Sequence, residues 1–262
     1  MQRVVRRTAI ACLSAAVVAG CSSGSGRGQD AAQTVMMSAA RSEAASTFHL
    51  SVTEKLTSVS GTPFLGMTGA SMQGDVDLST HSARLTGTLV GAASKPGAAI
   101  QSLSFSVIQI GNESWESIGG SAGSGPARHW TRSDAASSTS QIPDPGKFFA
   151  ALKSRATQVR LIGRATVGGL VTDHYELVGP ATLLDSLGGG ASGSQGTPPP
   201  GPVSVQVWVD RANLIRKLTT TVKESTEVPG QVESAAVSAE FTDYGEAVQI
   251  QPPPADLVVP GS

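Results

Sequence analysis

The stretch Val203-Ser204-Val205-Gln206-Val207-Trp208-Val209-Asp210 decides the fold class. Four valines recur at every second position, with Ser204, Gln206 and Trp208 between them. A β-strand sends successive side chains to opposite faces, so the segment predicts a strand with one apolar and one wetter face. Strands of this kind pair antiparallel, because a parallel sheet is covered on both faces and reads as continuous apolar runs.

The same period extends along most of the chain. Phe48, Leu50, Val52 and Leu56 alternate with His49, Ser51, Thr53 and Lys55; Ala83, Leu85, Gly87 and Leu89 alternate with Arg84, Thr86 and Thr88. Leu103, Phe105 and Val107 alternate with serines, and Val159 and Leu161 with Gln158 and Arg160. Further strands are expected over 64–78, 113–118, 128–132, 170–178, 214–224 and 234–244. Three segments have helical spacing instead. The first starts at Asp30 as N-cap and carries Ala32, Val35, Met36, Ala39 and Ala40. The second, 145–153, carries Phe148, Phe149 and Leu152. The third, 180–187, carries Leu183, Leu184 and Leu187 before the stop Gly188-Gly189-Gly190. Residues 188–202, GGGASGSQGTPPPGP, lack any apolar period and are expected to form a disordered loop.

No repeat or composition shift divides the chain, so residues 30–258 read as one α+β domain: a single large curved antiparallel sheet whose apolar face is covered by a few helices. Composition agrees with a folded domain. Of 262 residues, 39% are hydrophobic and 15% charged, and the net charge of -1 supplies little self-repulsion. The balance of 19 basic and 20 acidic residues argues against a nucleic-acid partner, whose phosphates demand an excess of Lys and Arg.

The N-terminus reads as an export address. Arg3, Arg6 and Arg7 form a basic region, and residues 8–19 an uncharged apolar one too short to span a bilayer. Val18-Ala19-Gly20-Cys21 follows, similar to the lipobox of bacterial lipoproteins. The expectation is a signal peptide over 1–20, acylation of Cys21, and a flexible Ser/Gly tether over 21–29. Cys12 would leave with the signal, so the mature chain would have no disulfide. Loss of three arginines leaves 16 basic and 20 acidic groups, so acyl chains rather than a basic patch would hold the protein to the extracytoplasmic face of the cell membrane.

Enzymatic motifs fail in context. Gly119-Gly120-Ser121-Ala122-Gly123 spells a nucleophile elbow but lacks the helix that must follow it. Gly188-x-Gly190-x-x-Gly193 opens no helix, as a dinucleotide site would require. His49, His81, His129 and His174 are scattered without metal-ligand spacing, and neither Asp75/Asp77 nor Asp173/Glu176 suggests an acid/base pair. Trp115, Trp130 and Trp208 stand among polar neighbours, where sheet packing is favoured over a ligand groove. We therefore expect no catalytic residue, no metal and no cofactor.

One further pattern is informative. The lipobox, an N-terminal helix and a meander of strands are followed by Gly111-Asn112-Glu113-Ser114-Trp115-Glu116 and Arg128-His129-Trp130-Thr131. Val207-Trp208-Val209-Asp210 and Phe241-Thr242-Asp243-Tyr244-Gly245-Glu246-Ala247-Val248 come next, before Pro252-Pro253-Pro254. In order and spacing this resembles the LppX/LprG family of actinobacterial lipoproteins, which are LolA-like in fold. The resemblance implies a half-barrel with helices over its concave face, an apolar cavity for acyl chains, and a role in binding or moving lipids or lipoglycans. The chain departs from that pattern at 119–125 and 188–202.

From the residues alone the apolar face could close as ordinary core or stay open as a pocket. Under the half-barrel reading, Leu50, Val52, Leu85, Leu89, Leu103, Phe105, Val107, Val159, Leu161, Val205 and Val207 share the concave surface. Phe148, Phe149, Leu152, Leu183 and Leu184 oppose them from the helices. The function expected is a non-enzymatic, membrane-anchored lipid-binding or lipid-carrying lipoprotein; the alternative is a structural or protein-interaction lipoprotein with a filled core.

Overall fold

A computed structural model describes residues 26–58, 67–91, 102–119, 129–134, 145–155, 158–180, 202–225 and 232–260. The expectations for the signal peptide, for Cys21, for the helix at 180–187 with Leu183 and Leu184, and for the loop at 188–202 lie outside the described residues, save the bounding Pro180 and Pro202.

The described strands are β1 (Thr47–Ser58), β2 (Met67–Asp77), β3 (Ser82–Gly91), β4 (Ser102–Ile110), β5 (Glu113–Gly119) and β6 (Trp130–Asp134), followed by β7 (Gln158–Val167), β8 (Leu170–Pro180), β9 (Pro202–Asp210), β10 (Ile215–Ser225), β11 (Val232–Thr242) and β12 (Val258–Pro260). They form one open sheet in the order β12-β6-β5-β4-β3-β2-β1-β11-β10-β9-β8-β7. Every pairing is antiparallel except β12 with β6, three residues long and parallel. The sheet is thus the curved, mostly antiparallel one expected. Helices α1 (Gly26–Ala44) and α2 (Pro145–Arg155) lie on one face, α1 packed on α2 and on β7.

Helix α1 begins at Gly26, a full turn before the expected cap, so Asp30 lies inside it and its carbonyl accepts the Thr34 hydroxyl at 2.8 Å. The apolar stripe starts only at Ala31, and a stripe reports the buried part of a helix rather than its first turn.

Directly paired residues share a face, so the register sorts the sheet. The inner, helix-covered face carries Phe48, Leu50 and Val52 from β1, Ala83 and Leu85 from β3, Val205, Val207 and Val209 from β9, and Ala239 and Phe241 from β11. All belong to one buried core with Val35, Phe148, Phe149 and Leu152 of the helices. Burying each large side chain contributes roughly 1.5 to 3 kcal/mol, which makes this layer the main support of the fold. Gly74 sits in it opposite Leu50 and Leu85. At φ +154° an added Cβ would stand 1.9 Å from the Arg84 carbonyl oxygen, so only glycine lets β2 approach β3 there.

The outer face is wetter. His49 bonds Asp75 at 2.9 Å, and Lys217 meets Glu240 at 2.8 Å. The chain after β11 crosses this face as a strap. The Gly245 amide donates to the Thr47 carbonyl, the Thr47 hydroxyl to the Glu246 carbonyl, and the Arg84 guanidinium to the Gln251 carbonyl. The strap ends as β12 on the edge of β6, and Pro253, Ile108 and Trp115 are buried.

Candidate functional site

The inner face is not uniform along its strands. At one end it is plugged by aromatic rings: Phe48 meets Phe241 at 5.5 Å, Tyr244 at 5.6 Å and Phe149 at 6.3 Å between centroids, and Phe149 meets Phe241 at 5.7 Å. The Tyr244 hydroxyl donates to the Ile215 carbonyl at 2.7 Å, and burial holds its pKa far above the ordinary tyrosine value. Ser42 of α1 accepts the Ile215 amide at 3.0 Å, which ties the C-terminal end of the helix to the same place.

Two rows of paired residues cross the other end. One runs Leu161, Tyr175, Val207, Leu218, Ala239, Val52, Met72, Gly87, Phe105, Ile118; the next runs Val159, Leu177, Val205, Thr220, Val237, Glu54, Ala70, Leu89, Leu103. On the β8–β10 side these rows are buried, apart from Leu161 on edge strand β7. On the β2–β5 side they open: Met72, Ala70, Leu89 and Phe105 are half-buried, Leu103 is 47% exposed and Ile118 68%. The Phe105 ring packs on Gly87, where a Cβ would meet its Cζ at 2.4 Å. The result is an apolar shelf floored by β2 to β5, with no covering layer among the described residues.

The expected lining residues therefore divide. Leu89, Leu103 and Phe105 belong to the shelf, and Val52 is core at its border. Leu50, Leu85, Phe148, Phe149, Leu152, Val159, Val205 and Val207 are packed into the core, and Val107 is buried beside Leu85. Leu161 faces inward by register but is 55% exposed. Sequence reading missed Met72, Ala70, Ile118 and Glu54. Glu54 stands in the apolar phase between Val52 and Leu56, and that interruption is the signal that could have marked it.

The tryptophans are elsewhere. Trp115, Trp130 and Trp208 all fall on the outer face by register, Trp115 buried and Trp208 stacked on His174 at 4.1 Å. Among the described residues no three His, Cys, Asp or Glu side chains converge as metal ligands, and no helix is long and apolar enough to cross a membrane. Within the two rows Glu54 supplies a carboxyl group: burial raises its pKa above 4.5, and its Oε1 is buried without a hydrogen-bond partner.

An open, curved, mostly antiparallel sheet with helices on one face is the LolA-like half-barrel. Its likeness to solved structures is at that level: LprF from Mycobacterium bovis superposes with a TM-score of 0.52 at 13% identity, over 86% of this chain and 97% of that one. Lipoprotein LppX of Mycobacterium tuberculosis gives a TM-score of 0.44 at 12% identity, over 84% of this chain and 99% of that one. No family model and no curated protein sequence matches the chain.

Proposed function

We propose that the chain is a membrane-anchored lipoprotein of the cell envelope that binds or carries the acyl chains of a lipid or lipoglycan on the inner face of its half-barrel, without catalysis. The observation that carries this reading is the contrast along the inner face. One end is filled to the density of a core, while Leu89, Phe105, Leu103 and Ile118 continue the same apolar surface with no covering layer among the described residues. Water-facing apolar surface of this kind, continuous with a core, is the usual mark of a ligand or partner site.

The course of α1 supports the same reading. Ser42 is at the aromatic end, whereas Thr34 reaches Tyr175 in the Val52 row, so the helix runs from the open end toward the plugged one. Its start, Gly26, is five residues from Cys21. Acyl chains on Cys21 would hold the open end toward the bilayer, within a span of roughly 17 Å even for an extended linker. Transfer of a chain from bilayer to shelf then exchanges one apolar environment for another, each worth about 0.8 kcal/mol per CH₂, so loading and release are both accessible.

The alternative, a structural lipoprotein with a filled core, is favoured by the burial of Leu50, Leu85, Val205 and Val207. Tryptophan substitution separates the two. On the shelf, Leu89→Trp should block binding of a fluorescent fatty acid and leave the unfolding midpoint nearly unchanged, while Val205→Trp in the packed layer should cost roughly 1 to 3 kcal/mol of stability. Strong destabilisation by Leu89→Trp, with no fatty acid bound by the unsubstituted protein, would favour the filled core.

A further inference from the structure

Glu54 is out of place in the surface it occupies. Its inner-face neighbours are Val52 and Leu56 along β1, Val237 across on β11 and Ala70 across on β2. None can bond a carboxylate. One carboxylate oxygen, Oε1, is buried with no hydrogen-bond partner, and Lys55, the adjacent cation in sequence, belongs to the opposite face. A buried acceptor left unpaired destabilises the empty protein, and a leucine at this position would make the row apolar from Val237 to Leu103 without that cost. Such a group is accounted for when its partner arrives with a ligand. Burial raises the Glu54 pKa, and a donor seated on the carboxylate would reverse that effect.

We infer that Glu54 is a specificity-determining residue of the apolar shelf, selecting acyl lipids whose head group carries a hydroxyl donor over lipids of equal chain length that have none. The inference rests on the lipid-binding reading and deepens it. The Glu54 carboxylate accepts the head-group hydroxyl, while the acyl chain lies toward Leu89, Phe105 and Leu103, which follow Glu54 and Val52 across the sheet in the same two rows. The polar end of the ligand is thereby placed at β1 and its tail at β3 and β4.

Competition against a bound fluorescent fatty acid, with 1-monopalmitoylglycerol and methyl palmitate as probes, tests this. The unsubstituted protein should prefer the monoacylglycerol by about tenfold or more, the size of effect expected for a hydrogen bond to a charged acceptor. Glu54→Leu should reduce that preference to about one, by weakening the monoacylglycerol and not methyl palmitate, and its unfolding midpoint should equal or exceed that of the unsubstituted protein. Glu54→Gln, which keeps a neutral acceptor, should retain a smaller preference and guards against a folding defect in the leucine variant. A preference unchanged in Glu54→Leu, or no preference in a protein that binds both probes, would overturn the role of Glu54 and leave lipid binding standing. Binding of neither probe would overturn both.

Discussion

Glu54 and Gly74 show how single residues shape the inner face. Gly74 admits the close approach of β3, and a side chain there has no room. Glu54 has a consequence for stability because burial raises its pKa above 4.5 in the folded state. The folded protein then binds that proton more tightly than the unfolded chain does, so this contribution is most favourable below the unfolded value and is lost as pH rises through the raised one. Asp77 and Glu176 act with the opposite sign. For Asp77 burial pushes upward, but hydrogen bonds from Ser79 and Thr80 prevail and lower its pKa; the Arg160 guanidinium lowers that of Glu176. Both persist in Glu54→Gln, so the difference between variant and unsubstituted protein isolates Glu54. Urea unfolding of the lipid-free protein should show Glu54→Gln gaining relative stability as pH rises from 4 to 8, by on the order of 1 kcal/mol or less, because solvent screens the partly exposed carboxylate. A flat difference across that range would mean that the carboxyl group is solvated.

At the scale of elements, what could be read from sequence follows the strength of each period. Val203 to Val209 alternates without a fault and lies as expected, valines inward and Trp208 outward. The strands expected at 113–118, 170–178 and 214–224 appear as β5, β8 and β10 with ends shifted by a residue or two. Alternation gives the face of a residue but not what covers that face. Leu85 and Leu89 occupy the same phase of one strand, yet Leu85 is core and Leu89 shelf, because among the described residues the aromatic plug covers one end and α1 lies toward the β7–β10 side. Irregularities also escape a period of two: the register shifts between Leu161 and Gly163 in β7 and between Ile215 and Lys217 in β10. The strap was visible only as the run Pro252-Pro253-Pro254, which excludes a regular strand without saying where the chain goes. Its burial of Pro253 beside the region of Ile108 and Trp115 argues that it stabilises the β4–β6 side. Truncation after Val248 should therefore cost roughly 2 to 4 kcal/mol, the scale of re-exposing one or two large apolar side chains, measured by thermal or urea unfolding. An unchanged midpoint would show the strap to be decoration.

At the scale of the whole molecule, the half-barrel is closed by rings at one end and, among the described residues, has no cover along its β2–β5 side at the other, toward which the N-terminal helix starts. Under the proposed function the two act together: the surface accepts acyl chains, and acylation of Cys21 holds it near their source. A lipid carrier holds its cargo on this surface in the cell. The most direct measurement is mass spectrometry of organic extracts from a Cys21→Ala form, which should itself move from the membrane to the soluble fraction, purified from the native host. A stoichiometric acyl lipid with a hydroxyl-bearing head group should be recovered from this form and be depleted from its Leu89→Trp derivative. A protein that yields no lipid, or yields the same amount from both forms, would contradict lipid carriage on this surface.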